Sequence, residues 1–242
     1  MDSTNYIVRF TLVMTVLASL ILAGMFYATK PAADKNQVVF TKRAILAAVE
    51  TRMDKKLKDI SDDEVLTFFD ENVEQVTLNM SGEVVDGVQA EKVDLAQEKK
   101  KPEADRLLPL FVFNGKDGKK YYIFSVRGNG LWDEIWGYIA LEEDMNTVAG
   151  AAFDHKGETP GLGAEIKDNP SFPKQFLDKK IFNEKGELVS INVRKGGAQD
   201  PVHEVDAISG ATITSVGVSE MMKRGLNYYK PYIEKNKATS MK

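Results

Sequence analysis

Leu107-Leu108-Pro109-Leu110-Phe111-Val112-Phe113, then Asn114-Gly115-Lys116-Asp117-Gly118, then Tyr121-Tyr122-Ile123-Phe124-Ser125-Val126: this stretch reads as a β-hairpin and sets the fold class. Its two runs are rich in aromatic and branched residues. The turn between them supplies positive φ at low cost. Further on, Trp136–Leu141 and Thr147–Phe153 form a second pair of strands across Glu142–Asn146. Upstream, Val73–Met80 and Val84–Val88 read as short strands around Ser81-Gly82. Short connections between successive strands predict an antiparallel sheet.

Helices flank these strands. Ile45, Leu46, Val49, Met53 and Leu57 recur at helical spacing between Val38 and Leu57. Ser61-Asp62-Asp63-Glu64 is a capping box ahead of Val65, Leu66, Phe68 and Phe69. Glu91–Arg106 is highly polar and reads as a solvated loop or exposed helix. Pro170-Ser171-Phe172-Pro173 introduces a short helix through Leu177, and Leu188–Val193 alternates as a strand ended by Lys195-Gly196-Gly197. The last helix begins near Ala211 and carries Val216, Val218, Met221, Met222, Leu226 and Tyr229. Ser209 is its expected N-cap, Pro231 ends it or allows one more turn, and the tail after Glu234 frays. The expected class is α+β.

The N-terminal run Phe10–Thr29 contains no charged residue. About 20 apolar residues are enough to cross a bilayer as a helix. Ala23-Gly24 lies inside the run and apolar residues continue past it, which favours a retained anchor over a cleaved signal peptide. Arg9 precedes the span, while Lys30, Lys35, Lys42 and Arg43 follow it. A literal positive-inside count would place the C-terminal side in the cytoplasm, although long following domains often translocate regardless. The expected organisation is a short tail (1–9), a transmembrane anchor (10–29), a helical linker with the first part of the domain (30–106), a core (107–234) and a tail (235–242).

A net charge of −4 implies no steering toward a particular partner, and no basic stripe or nucleic-acid motif is present. The absence of cysteine excludes disulfides, thiolate-held iron–sulfur clusters and c-type haem attachment. His155 and His203 have no partner at metal-site spacing and read as loop or surface histidines. No metal site is expected.

The stretch best suited to carry function is Asp206-Ala207-Ile208-Ser209-Gly210-Ala211-Thr212-Ile213-Thr214-Ser215, which joins a strand-like run to a helix. A helix N-terminus offers unpaired N–H donors and about half a positive charge, which suits a phosphate. Plain helix capping explains the same residues equally well. Two other segments are glycine-rich. Glu158-Thr159-Pro160-Gly161-Leu162-Gly163 matches neither nucleotide fingerprint but permits close backbone approach. Arg127-Gly128-Asn129-Gly130-Leu131-Trp132 reads either as a flexible rim around a planar ligand or as a tight loop with Trp132 packed on the core.

Asp206-Ala207-Ile208-Ser209-Gly210-Ala211-Thr212 resembles the flavinylation motif D-x-x-(S/T)-G-A-T. In proteins with that motif a flavin transferase, using FAD, joins FMN to the final threonine through a phosphoester. The resemblance implies Thr212 as the attachment site and Thr214 as the neighbour to exclude. With the anchor, Gly128–Trp132, Glu158–Gly163 and Lys195-Gly196-Gly197-Ala198, the chain is similar to the C subunit of sodium-translocating NADH:quinone oxidoreductases. The related G subunit of the Rnf complex shares the anchor, the E-T-P-G-L-G loop and the S-G-A-T site. The region from Glu50 to Arg106 is closer to the C subunit.

The resemblance implies a single FMN-binding domain on the periplasmic side of a bacterial inner membrane, held by one anchor helix in lipid and relaying electrons between partner subunits. NADH oxidation, quinone reduction and sodium export belong to the whole complex, and no complete active site is expected on this chain. Asp206, Ser209, Gly210, Ala211, Thr212 and Thr214 are the expected cofactor-binding residues of the motif, with Gly210 and Ala211 as close-approach positions and Thr212 as the attachment site. Trp132, Leu162 and Thr159 are candidates for the walls of the ring, Glu158, Gly161 and Gly163 are expected among the cofactor-binding residues, and Lys195 would offset phosphate charge. A competing expectation of a different class is a membrane-anchored assembly module without flavin.

Overall fold

The computed structural model describes residues 3–240; the terminal pairs 1–2 and 241–242 of the two expected tails lie outside the described residues. The first helix, α1 (Ser3–Ala47), contains a window apolar enough to cross a membrane, with mean hydropathy 2.1. The chain divides into two compact units, one reaching to Thr41 and one starting at Lys42.

The second unit is built on a five-stranded antiparallel sheet in sequential order: β1 (Val73–Asn79), β2 (Leu107–Asn114), β3 (Lys120–Asn129), β4 (Glu134–Leu141) and β5 (Val148–His155). The opening hairpin closes in the register Leu110↔Phe124 to Asn114↔Lys120. Side-chain alternation along each strand sorts residues onto two faces. Leu108, Leu110, Val112, Phe124, Val126, Ile135 and Ile139 point to one face, and Phe111, Phe113, Tyr121, Ile123 and Ala140 to the other. Both faces are covered, so the central strands are buried almost throughout.

The second of these faces packs against Ile45, Leu46 and Val49 and against α2 (Asp62–Asn72), whose Phe69 is fully buried. The capping box forms as expected: Glu64 N–H donates to Ser61 Oγ (3.4 Å) and Ser61 N–H to Glu64 Oε2 (2.8 Å). Gly150 lets β5 meet the end of α1, because a Cβ there would run into the Ala48 carbonyl. The first face packs against α6 (Thr212–Ser240) and a region holding α4 (Glu165–Asp168), α5 (Ser171–Lys174) and a parallel pair, β6 (Asn192–Arg194) with β7 (Glu204–Asp206). A short α3 (Leu95–Glu98) lies in the polar stretch before β2. An apolar N-terminal helix followed by an antiparallel sheet with flanking helices is the α+β architecture expected.

Several boundaries differ from the sequence reading. The helix expected to reach Leu57 stops at Ala47, and Met53 is extended (φ −90°, ψ 158°). Arg43 folds the following segment back by donating to the carbonyls of Leu57 (2.6 Å) and Ile60 (2.8 Å). Val84–Val88 is no strand: it keeps one bridge, Leu78↔Val84, and left-handed Gly87 interrupts it. In Leu188–Val193, Ser190 takes φ 64°, so regular pairing starts only at Asn192. Pro231 does not end α6, and the expected frayed tail is helical through Ser240. Ile233, fully buried just beyond the proline, offsets the hydrogen bond that the proline removes.

Candidate functional site

The centre of the site is a carboxylate. Glu158 is 5% exposed and accepts three backbone N–H groups, from Leu131 (3.2 Å), Trp132 (2.9 Å) and Asp133 (3.3 Å). The Thr214 hydroxyl donates to the same carboxylate at 2.7 Å and also approaches the Leu162 carbonyl at 3.2 Å. One side chain therefore joins the β3–β4 loop, the loop after β5 and the first turn of α6. Burial pushes the Glu158 carboxyl up, but the donors from Trp132, Thr214, Asp133 and Leu131 outweigh it and hold the group below its usual range.

Glycines make room for this carboxylate. A Cβ on Gly130 would lie 2.5 Å from Glu158 Oε1, and one on Gly163 would lie 2.5 Å from Oε2. The loop after β5 is shaped further by Glu165, which accepts from the N–H groups of Gly161 and of Gly163 (3.2 Å). His155 Nδ1 accepts the Glu158 N–H at 3.1 Å. It braces the turn. The His203 ring is tied to Asp200 (2.8 Å) and to the Phe182 carbonyl (3.2 Å), so both of its nitrogens are spent on holding the chain.

The motif turn packs onto this frame. Gly210 adopts φ 82°, and a Cβ there would be 2.7 Å from the Gly161 carbonyl. Its glycine therefore serves contact with the neighbouring loop. Ser209 is not the N-cap. Ala211 N–H closes a turn onto the Ile208 carbonyl (3.1 Å), and the first helical bond runs from Ser215 N–H to the Ala211 carbonyl (2.9 Å). The left-handed Gly210 delays helix entry by two residues. Ala211, buried and without a side-chain oxygen, takes the cap position. The N–H groups of Thr212, Ile213 and Thr214 are those that a helix start leaves without intrahelical partners, and the cap side chain supplies none.

The hydroxyls of the turn are sorted by burial. Thr214 and Ser215 are buried; Ser215 Oγ accepts the Ile208 N–H at 3.2 Å. Thr212 and Ser209 are exposed. Thr212 shares this end of α6 with Ile213 and Val216, which are 59% and 48% exposed. Trp132 is 67% exposed and Leu162 41%, and their backbones are bound into the Glu158–Thr214 frame. Trp132 is thus not packed on the core, and the loop that carries it is pinned by Glu158. Thr159 is exposed, and its carbonyl accepts from Leu162 N–H at 3.0 Å.

Asp206 accepts Ala198 N–H at 2.7 Å, folding the Lys195-Gly196-Gly197-Ala198 turn beside the motif. Lys195 is exposed one residue beyond the register pair Arg194↔Asp206. The three separated glycine-rich segments and the motif therefore meet at one end of α6. Sequence reasoning missed Ile213, Val216 and Glu165, and also Gly217, where a Cβ would collide with the Asn129 carbonyl. The helical spacing of Thr212, Ile213 and Val216 was the available signal for the first two.

The chain is similar to known proteins in sequence and fold. The FMN-binding domain family matches residues 130–227. The C subunit of the Na(+)-translocating NADH-quinone reductase of Neisseria meningitidis serogroup A is 34% identical over 98% of this chain and 96% of its own length. The C subunit of the same reductase from Pseudomonas aeruginosa is 31% identical over 91% of this chain and 90% of its own. The crystal structure of the C subunit from Parabacteroides distasonis has a TM-score of 0.73 and 36% identity, and the match covers 84% of this chain and 96% of that one.

Proposed function

We propose a function from one premise: this chain belongs to the family of Na(+)-translocating NADH-quinone reductase C subunits. It is an FMN electron-transfer subunit of that membrane oxidoreductase complex and works with the complex's other subunits. The Rnf subunit and the flavin-free assembly module are not favoured.

The finer reading is that FMN is joined to Thr212 by a phosphoester, added by a flavin transferase. The observation that carries it is an exposed hydroxyl on an uncapped helix start. The N–H groups of Thr212, Ile213 and Thr214 would neutralise phosphate oxygens, aided by the helix dipole. Lys195 would add positive charge from the adjacent turn. Trp132, Leu162, Ile213 and Val216 would exclude water from the ring. Glu158 and Thr214 act on each other and hold this frame; they serve the flavin through position.

Bound FMN supplies one- and two-electron chemistry. The chain contributes a fixed attachment point, and a tethered cofactor is not lost between turnovers. The run 10–29 would anchor the protein in lipid, with the domain on the periplasmic side.

The test co-expresses the chain with a flavin transferase, denatures it and reads flavin fluorescence in a gel under ultraviolet light. The expected result is a fluorescent band that is lost in Thr212→Ala and kept in Thr214→Ala. A band that survives Thr212→Ala sinks the assignment.

A further inference from the structure

A second concavity lies on the same helix, away from the motif. A cavity of about 340 Å³ is lined by Leu95, Leu108, Val126, Tyr228 and Tyr229 and ringed by Lys99, Arg106, Arg127 and Arg224. That volume falls within the range of small-molecule sites, roughly 300–1,000 Å³. Thr212 and Arg224 lie twelve positions apart on α6, or about 18 Å at ~1.5 Å per residue. The cavity is therefore separate from the motif turn.

Its charge is unbalanced. Arg127 is paired with Glu134, and the buried Glu98 is engaged by Lys101 (2.8 Å) and by Leu107 N–H (2.9 Å). Among the described residues, Lys99, Arg106 and Arg224 have no carboxylate within ion-pair distance. Lys99 and Arg224 are exposed and Arg106 is half-buried, so their charges are open to an anion arriving from solvent.

Arg106 is held ready for that role. Its guanidinium donates to the carbonyls of Lys101 (3.1 Å) and Lys99 (3.2 Å) and to the Tyr228 hydroxyl (3.2 Å), and lies 5.8 Å from the Tyr228 ring centroid. Donors remain beyond these three bonds. Among the described residues, the side chain of Arg224 makes one hydrogen bond, to the Arg127 carbonyl at 3.4 Å. Arg127 meets Arg224 through its carbonyl, while the Arg127 guanidinium is paired with Glu134 and lies 5.4 Å from the Trp136 ring centroid. One held guanidinium, Arg106, and the exposed cations Lys99 and Arg224 beside an apolar and aromatic floor match an anion that carries an apolar body.

We infer that this cavity binds an amphiphilic monoester phosphate or a similar organic anion, with its charged end against Lys99, Arg106 and Arg224 and its apolar part against Leu108, Val126 and Tyr228. Binding there does not depend on flavin attachment, and the flavin-free full chain in neutral detergent is the protein to test.

Phenyl phosphate is titrated by calorimetry, with inorganic phosphate as the comparison and short-chain phosphatidic acid in mixed micelles as a competitor. The expected result is saturable one-to-one binding of phenyl phosphate, at least ten-fold tighter than inorganic phosphate. Binding weakens ten-fold or more in both Arg224→Ala and Lys99→Ala, whose side chains carry little of the packing, at unchanged melting temperature. Displacement by phosphatidic acid assigns the site to a lipid headgroup; failure to displace assigns it to a soluble ester. No saturable binding at millimolar phenyl phosphate overturns the inference. So does equal binding of inorganic phosphate, or binding unchanged in both variants.

Discussion

The two faces of the sheet are covered by different means. On the face toward α2, large side chains fill space: Phe69 meets Phe111 edge-on at 6.0 Å, and Phe113 lies 6.4 Å from Tyr121. On the face toward α6, rings also pack (Phe124 meets Tyr229 edge-on at 5.0 Å), but α6 itself approaches the sheet where side chains are missing. Gly217 sits on the Asn129 carbonyl, Gly128 on Met221 and Gly225 on Val126. Buried polar bonds then fix the position of the helix: Thr214 to Glu158, and the Tyr229 hydroxyl to the carbonyls of Pro109 (2.8 Å) and Ser125 (3.1 Å). Side-chain volume dominates the first face, with Gly150 as a close backbone approach. Register and direction set the second, and that is the face that presents Thr212.

The contrast fails if damage to the α2 face alters the site of the folded protein. Phe69→Ala should cost the most stability, about 3–5 kcal/mol, read by denaturant unfolding in neutral detergent. Flavin per folded chain should stay unchanged; a fall would show that the faces are not independent. Glu158→Gln should cost about 2–4 kcal/mol by leaving buried donors badly matched. Its particular mark is local: in a Trp136→Phe background, Trp132 fluorescence anisotropy should drop. Gly217→Ala should cost about 1–3 kcal/mol, because backbone must move to admit the Cβ, and flavin yield per folded chain should fall with it. Tyr229→Phe, which leaves two carbonyls without their donor, should cost about 1–2 kcal/mol and leave flavin yield intact.

The smallest effect is read through pH. The folded-state pKa of Glu158 is held below its usual value of 4.5. Its contribution is therefore fully present above that value and is lost as pH falls through the folded value. The melting-temperature gap between the wild type and Glu158→Gln should be widest near neutral pH and should narrow below about pH 4. A gap independent of pH would show that the charge of Glu158 does not hold the α6 face.

Much of the sheet was legible because its signals are local. Asn114-Gly115 and the flanking aromatic runs specify a hairpin without help from the rest of the chain, and the capping box at Ser61 is read from four residues. The anchor run is likewise a property of one segment. The Glu158 frame was not legible as a frame, since its partners stand 25 to 56 residues away. Sequence reading groups Glu158 and Thr214 with the ligand-facing residues; the structure turns both inward. Ser209 reads as the cap because a serine followed by a glycine does not reveal the left-handed turn at Gly210. The persistence of α6 past Pro231 depends on the burial of Ile233, which becomes visible only after packing. For the passage of α1 through Pro31, burial gives no account.

The span of the Glu158 contacts bears on the order of events in the making of the protein. Thr214 meets a carboxylate 56 residues earlier, and that carboxylate holds a loop 25 to 27 residues earlier still. Contacts of this separation carry a large loop-closure entropy and slow the folding of the domain that needs them. Without those contacts nothing buries one hydroxyl of the motif in preference to another. Only the finished domain withdraws Thr214 and Ser215 and leaves Thr212 on an ordered helix start. If FMN is joined to Thr212 as proposed, the substrate for that attachment would be the folded domain, because only there does burial set Thr212 apart from Thr214 and Ser215.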